Sequence, residues 1–171
     1  MLRWLILRKL DAVERELGAS VDYLRHMVSV SLRAFFKFAK IMPMATYRRV
    51  LPVEPYFVAV IVAARDEDCG TCVQIGVNHA RRSGVPPAYI LSVLDRQPEQ
   101  LPDDLSLVYR FAEAVVTASG EDERLRPALV ERYGDEGLIE LGLAMAAARV
   151  FPIVKRTMGY AQSCARVEVQ V

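Results

Sequence analysis

The chain has 171 residues, a formal net charge of +1, and 53% hydrophobic against 25% charged residues. That length supports one domain with a real core, and the near-neutral balance gives no argument for a nucleic-acid partner. Residues 1–50 hold ten Lys/Arg and four Asp/Glu, while residues 51–171 hold twelve and seventeen. A basic arm of this kind can meet a membrane surface or an acidic partner. The preferred reading is the plainer one, that it packs on the acidic body of its own chain or of a sister subunit.

Hydrophobic periodicity is helical nearly throughout, with no β-alternation and no internal repeat, so the expected fold class is all-α. The first helix spans residues 2–17 and stops at Gly18. Ser20 opens a second, expected to run to about Ile41, where Pro43 and then Pro52 break the pattern. Glu54-Pro55 starts a third, to about Arg65. After the acidic connection Asp66-Glu67-Asp68, a motif helix runs from about Cys69 to Ser83 and stops at Gly84. Helices over residues 87–94 and 105–118 follow, separated by a polar loop. A short helix over 127–133 leads through Gly134 to a long apolar one, which Pro152 is expected to kink or end. The tail to about Cys164 reads as helical again. The organisation is a single all-helical domain, residues 1–171, with 1–45 as an N-terminal helical arm and 46–171 as the core.

Three cysteines are an odd number without a disulfide-scaffold composition. The opening MLRWLILRKL is too short an apolar run for a signal peptide. The longest apolar run, residues 56–64, is far below the roughly 18 residues of a spanning helix. A cytoplasmic protein with reduced thiols is the expectation. Peripheral membrane contact through Leu2, Trp4 and Leu5 is the lesser possibility.

The stretch DCGTCVQIGVNH carries Cys69, Cys72 and His79. Two cysteines one turn apart at a helix start can close a small disulfide ring, and the free N–H groups and dipole there stabilise a thiolate. The acidic run before them opposes this by like-charge repulsion; helix capping is its simpler role. Without strands a thioredoxin-like fold is not expected. One pair with only His79 and distant Cys164 in support falls short of the four ligands of a zinc site, so no metal and no other cofactor is expected. Two inert buried cysteines are the plain alternative.

Cys69-Gly-Thr-Cys72, the helix ending Ala80-Arg81-Arg82-Ser83-Gly84-Val85, the preceding helix Phe57-Val-Ala-Val-Ile-Val-Ala-Ala64 and the segment Phe111-Ala-Glu-Ala-Val115 together resemble the alkyl hydroperoxidase D / carboxymuconolactone decarboxylase family. The resemblance covers residues 50–118 well and the rest loosely. It implies a multi-helix domain with the Cys-x-x-Cys on a helical hairpin, assembled as a homo-oligomer. Its thiol branch implies an antioxidant peroxidase or disulfide reductase that uses no metal or haem. Its partners would be a hydroperoxide substrate and a dithiol or disulfide electron-donor protein. The family's acid and histidine positions hold Phe57 and Gly76 here, and the histidine that some members place before the second cysteine is Thr71.

His79 stands two turns beyond Cys72 on the same face, about 10.5 Å along the axis, and leans back over Gly76. If the helices before and after the acidic connection run antiparallel, facing residue numbers share a constant sum. Positions 57 and 76 share one, and Glu54 and His79 share the same one. The expected catalytic set is therefore Cys69 and Cys72 with Glu54 and His79 as a displaced acid–imidazole pair. The plain alternatives are a first-turn acid at Glu54 and a structural imidazole at His79. The family analogy favours Cys72 as attacking thiol; helix-end electrostatics favour Cys69. The rival functions are an oligomeric binding or assembly protein without peroxidase activity, and a cysteine-independent decarboxylase-type lyase. Cys164 is weighed as a resolving thiol and His26 as structural.

Overall fold

A computed structural model describes residues 1–161 and 167–169, and these are all-helical, with no strand among them. The helices are α1 (Leu2–Leu17), α2 (Asp22–Val30), α3 (Leu32–Ala39), α4 (Met42–Ala45), α5 (Val53–Asp66), α6 (Gly70–Arg82), α7 (Pro87–Leu94), α8 (Asp103–Thr117) and α9 (Glu121–Thr157), with a 3₁₀ turn at Pro98–Gln100.

Three segments differ from the periodicity. The expected second helix is two, because Ser31 adopts φ −150°, ψ 103° and its hydroxyl accepts the Ala34 N–H at 3.1 Å, capping α3. Serine offers the backbone an alternative to helix hydrogen bonding, which an apolar pattern does not reveal. The long helix begins at Glu121 rather than near 127, is broken at Gly134 (φ 69°, ψ 176°), and then continues through Pro152 to Thr157. The tail is not helical beyond Thr157 up to Ala161, and Cys164 lies outside the described residues.

α5 is the axis of the core and packs against α6, α7, α8 and α9. Its sequence is apolar nearly all round, as a helix enclosed by others must be. Tyr56, Val58, Ile61 and Val62 fill space, and Ala59, Ala63 and Ala64 let neighbours come close. An added Cβ at Gly76 of α6 would stand 3.6 Å from Ile61 and 3.7 Å from Val60, so α6 also lies close to α5. Ile6, Leu10, Val21 and Val28 form a second, smaller cluster under α1–α3. His26 Nδ1 lies 2.8 Å from the Tyr160 hydroxyl, a structural tie across 134 residues. α9 is long and apolar enough to cross a membrane by length and composition. Here it packs on α5 and α8.

The start of α5 is fixed by a buried carboxylate. Glu140 of α9 is fully buried. Its oxygens accept the backbone N–H groups of Arg49 at 2.6 Å, Val50 at 3.1 Å and Leu51 at 2.8 Å. Burial opposes the charge, but the N–H groups of Leu51, Arg49 and Val50, aided by Arg48, outweigh it and hold the carboxyl below its ordinary value. A lowered acid pKa stabilises the fold above the ordinary carboxylate range, and that contribution is lost as pH falls through the lowered value. Glu140→Gln should reduce unfolding free energy by about 3 kcal/mol, since an amide cannot accept all three donors. Urea unfolding at neutral pH checks this, and the variant should show less acid-side loss than the parent.

Candidate active site

Cys69 precedes the first residue of α6 and Cys72 lies in its first turn. The backbone N–H groups of Cys72 and Val73 both bond the Cys69 carbonyl, at 2.9 and 3.0 Å, which fixes the turn holding the two thiols. Their Sγ atoms stand 2.7 Å apart without a disulfide between them, close enough for one to close. Asp68, just before them, has φ 48°, a left-handed conformation that aspartate adopts more readily than most residues with a Cβ. This residue turns the chain sharply from α5 into α6.

The acidic connection does not cap α6, contrary to the simpler sequence expectation: no acid stands in its first turn. It is instead clamped by α9. Arg149 bonds Glu67 at 2.6 Å and lies 3.5 Å from Asp66. Arg156 approaches the Glu67 carboxylate at 3.6 Å and donates to the Glu67 and Asp68 carbonyls. The Asp66 and Glu67 carboxylates face guanidinium groups, so their repulsion of a nearby thiolate is largely cancelled.

The two thiols are electrostatically unequal. Cys69 is pulled down to about 6. The Cys72 thiol is the main cause, burial opposes it, and the Cys72 backbone N–H and the charges of Lys155 and Arg156 add to it. Cys72 is pushed up by the Cys69 sulfur and by burial, with Lys155 opposing. Negative charge is therefore favoured on the Cys69 sulfur over the Cys72 sulfur.

Lys155 and Tyr23 stand beside the two thiols, and neither was expected there from the sequence. Lys155 is 3% exposed, and its Nζ lies 5.0 Å from the centre of the Tyr23 ring. The Tyr23 phenol is raised by burial first and then by the nearness of Cys72 and Cys69. The available signal was chemical: a cation ending an apolar helix stretch needs a partner if it is buried.

Glu54 and His79 are placed differently from the two thiols. His79 is half-buried and held low by burial first and by Arg82, with Glu16 of α1 opposing. Glu54 acts on the Tyr133 phenol. No hydrogen bond or ion pair among the described residues joins Glu54 to His79, or either to the cysteines. No group of three or more His, Cys, Asp or Glu that could hold a metal ion occurs among the described residues.

A cavity of about 380 Å³ opens beside Cys69, bounded by Arg65, Leu91, Leu94, Val167 and Val169 among others. Arg65 is fixed there by the Val93 carbonyl and by the Tyr109 hydroxyl at 2.8 Å. Comparison with family models, with curated proteins and with solved structures finds no match to this chain.

The alkylation rate of Cys69 by iodoacetamide, mapped by peptide mass, should rise with pH through a midpoint near 6, because the lowered pKa leaves the thiolate dominant above it. Lys155→Met should move that midpoint upward by removing a positive charge. An unmoved midpoint would remove Lys155 from the site's electrostatics.

Proposed function

We propose that the chain is a thiol-dependent oxidoreductase, a peroxidase or disulfide reductase, that cycles Cys69 and Cys72 between dithiol and disulfide. One observation carries this reading: two free thiols in contact, with the charge drawn to the one at the helix start chiefly by its partner thiol and backbone N–H and assisted by the cations of α9. Inert core cysteines need no such arrangement. The resemblance to the alkyl hydroperoxidase D family supports the same reading, including its expected homo-oligomer; the odd cysteine count without a disulfide-scaffold composition supports a reducing, cytoplasmic setting.

With a hydroperoxide, the Cys69 thiolate attacks the outer oxygen and the O–O bond breaks. The other oxygen leaves as alcohol or water after taking a proton, and Cys69 becomes a sulfenic acid. The Cys72 sulfur attacks the Cys69 sulfur, the S–O bond breaks, and hydroxide leaves as water with the proton that Cys72 gives up. The pair is then oxidised by two electrons and the peroxide reduced by two. An external dithiol restores it by thiol–disulfide exchange and is itself oxidised. With a disulfide substrate, Cys69 attacks sulfur instead and Cys72 resolves the mixed disulfide. In either case Lys155 stabilises the negative charge on Cys72 as it becomes the second nucleophile.

Reduced protein exposed to a small excess of hydrogen peroxide should lose two hydrogens within minutes, mapped to Cys69–Cys72. Cys69→Ser should abolish the first oxidation. Cys72→Ser should stop at a sulfenic acid trapped by dimedone. Lys155→Met should slow disulfide closure more than the first step. Glu54→Gln and His79→Ala form the parallel arm, and slowing as large as that of Lys155→Met would assign the proton role to the displaced pair. Thiols reduced for hours in the parent would overturn the function.

A further inference from the structure

The cavity beside Cys69 is closed on one side by the chain's own residues 167–169. Val167 and Val169 are half-buried against the main core and line the cavity, while Glu168 between them is exposed. In, out, in is the side-chain alternation of an extended strand. The backbone at the middle residue is held from α6. Gln74 Oε1 accepts the Glu168 N–H at 2.7 Å, and Gln74 Nε2 donates to the Glu168 carbonyl at 2.9 Å. One side-chain amide thus pairs with both main-chain groups of a residue, as a neighbouring strand would. Asn78 holds that amide in place: its Oδ1 accepts from Gln74 Nε2 at 2.9 Å, and its own Nδ2 donates to the Leu17 carbonyl at 2.9 Å.

Backbone pairing with alternate side chains in apolar pockets is the general chemistry by which a protein surface captures an extended peptide. It reads the main chain without regard to sequence and takes its preference from the alternate side chains. We propose that Gln74 and the cavity beside Cys69 form a docking groove for an extended polypeptide segment with aliphatic side chains two residues apart. Residues 167–169 occupy one wall of that groove in cis as a strap, and Cys69, which lines the same cavity, is fully buried. A partner segment of the same pattern displaces the strap and lies directly over Cys69. The groove follows from packing and hydrogen bonds alone and holds whether or not the thiols prove redox-active.

The test uses the full chain and alkylation of Cys69 by iodoacetamide, mapped by peptide mass. The double substitution Val167→Ser/Val169→Ser should speed Cys69 alkylation by about tenfold, since two buried isopropyl groups no longer hold the strap. Gln74→Ala should act in the same direction with an unchanged melting temperature. Adding acetyl-Ala-Val-Glu-Val-Ala-amide to the double variant should slow Cys69 back toward the parent rate, while acetyl-Ala-Ser-Glu-Ser-Ala-amide should not. Equal alkylation in parent and double variant would overturn the strap. Equal protection by the two peptides would overturn the groove.

Discussion

The molecule turns on the way α9 grips both ends of α5. Just ahead of α5, Glu140 gathers the backbone N–H groups of Arg49, Val50 and Leu51 in the segment that leads into it. At its far end, Arg149 and Arg156 hold the carboxylates and carbonyls that leave α5 for α6. An anion at a helix N-terminus and cations at its C-terminus both complement the helix dipole. The grip therefore follows the direction in which α5 is already polarised. Between the two ends the contact is apolar, and the charges set its register.

That register is what makes the thiol pair more than a local motif. The turn at Asp68 is left-handed and costly for a residue with a Cβ, so it persists because its surroundings fix it. Arg156 contributes by bonding the carbonyls on either side of that turn. One residue earlier in α9, Lys155 reaches the cysteines. Consecutive side chains on a helix diverge by about 100°, so a single turn of α9 serves both the backbone and the sulfur chemistry. A shift of α9 along its axis would loosen the acid clamp and move the cation away from the thiolate together.

Much of the fold was legible because helical periodicity is long-range and redundant, and α5, α7 and α8 fall where their apolar spacing and flanking prolines place them. The misses have a common character. Ser31 splits a helix through one hydroxyl, and Pro152 stays inside one because packing outweighs a lost hydrogen bond. Neither effect alters hydrophobic spacing. At the site, the cysteine pair was readable from its own spacing. Lys155 was not, because its role depends on the fold placing α9 across the start of α6. A signal was nonetheless present: Glu140, Arg149 and Lys155 are the charges that interrupt the apolar stretch from Leu138 onward, and each anchors a joint described above. In a helix that must be buried, isolated charges mark the positions to pursue first. The sum rule aligned Glu54 with His79 by level along two helices, but level says nothing about azimuth. His79 lies in the field of Arg82 and Glu16, whereas Glu54 acts on the Tyr133 phenol.

The two cysteines differ by three residues, and that spacing is enough to place them in different electrostatic surroundings. The residue ahead of a helix faces the unpaired N–H groups and the positive end of the dipole, while the residue one turn on has its own N–H already bonded. Here the Cys72 N–H bonds the Cys69 carbonyl and also favours charge on the Cys69 sulfur. Contact between the sulfurs sharpens this difference, since one proton shared by two close thiols leaves charge on the better-stabilised one and keeps the other protonated. The thiolate also borders the cavity, while its protonated neighbour faces Lys155 and Tyr23. An attacking sulfur needs charge and a route to substrate; a resolving sulfur needs to stay protonated until its neighbour has reacted, then to lose its proton beside a cation. Both sets of conditions arise from one helix start held against one buried lysine.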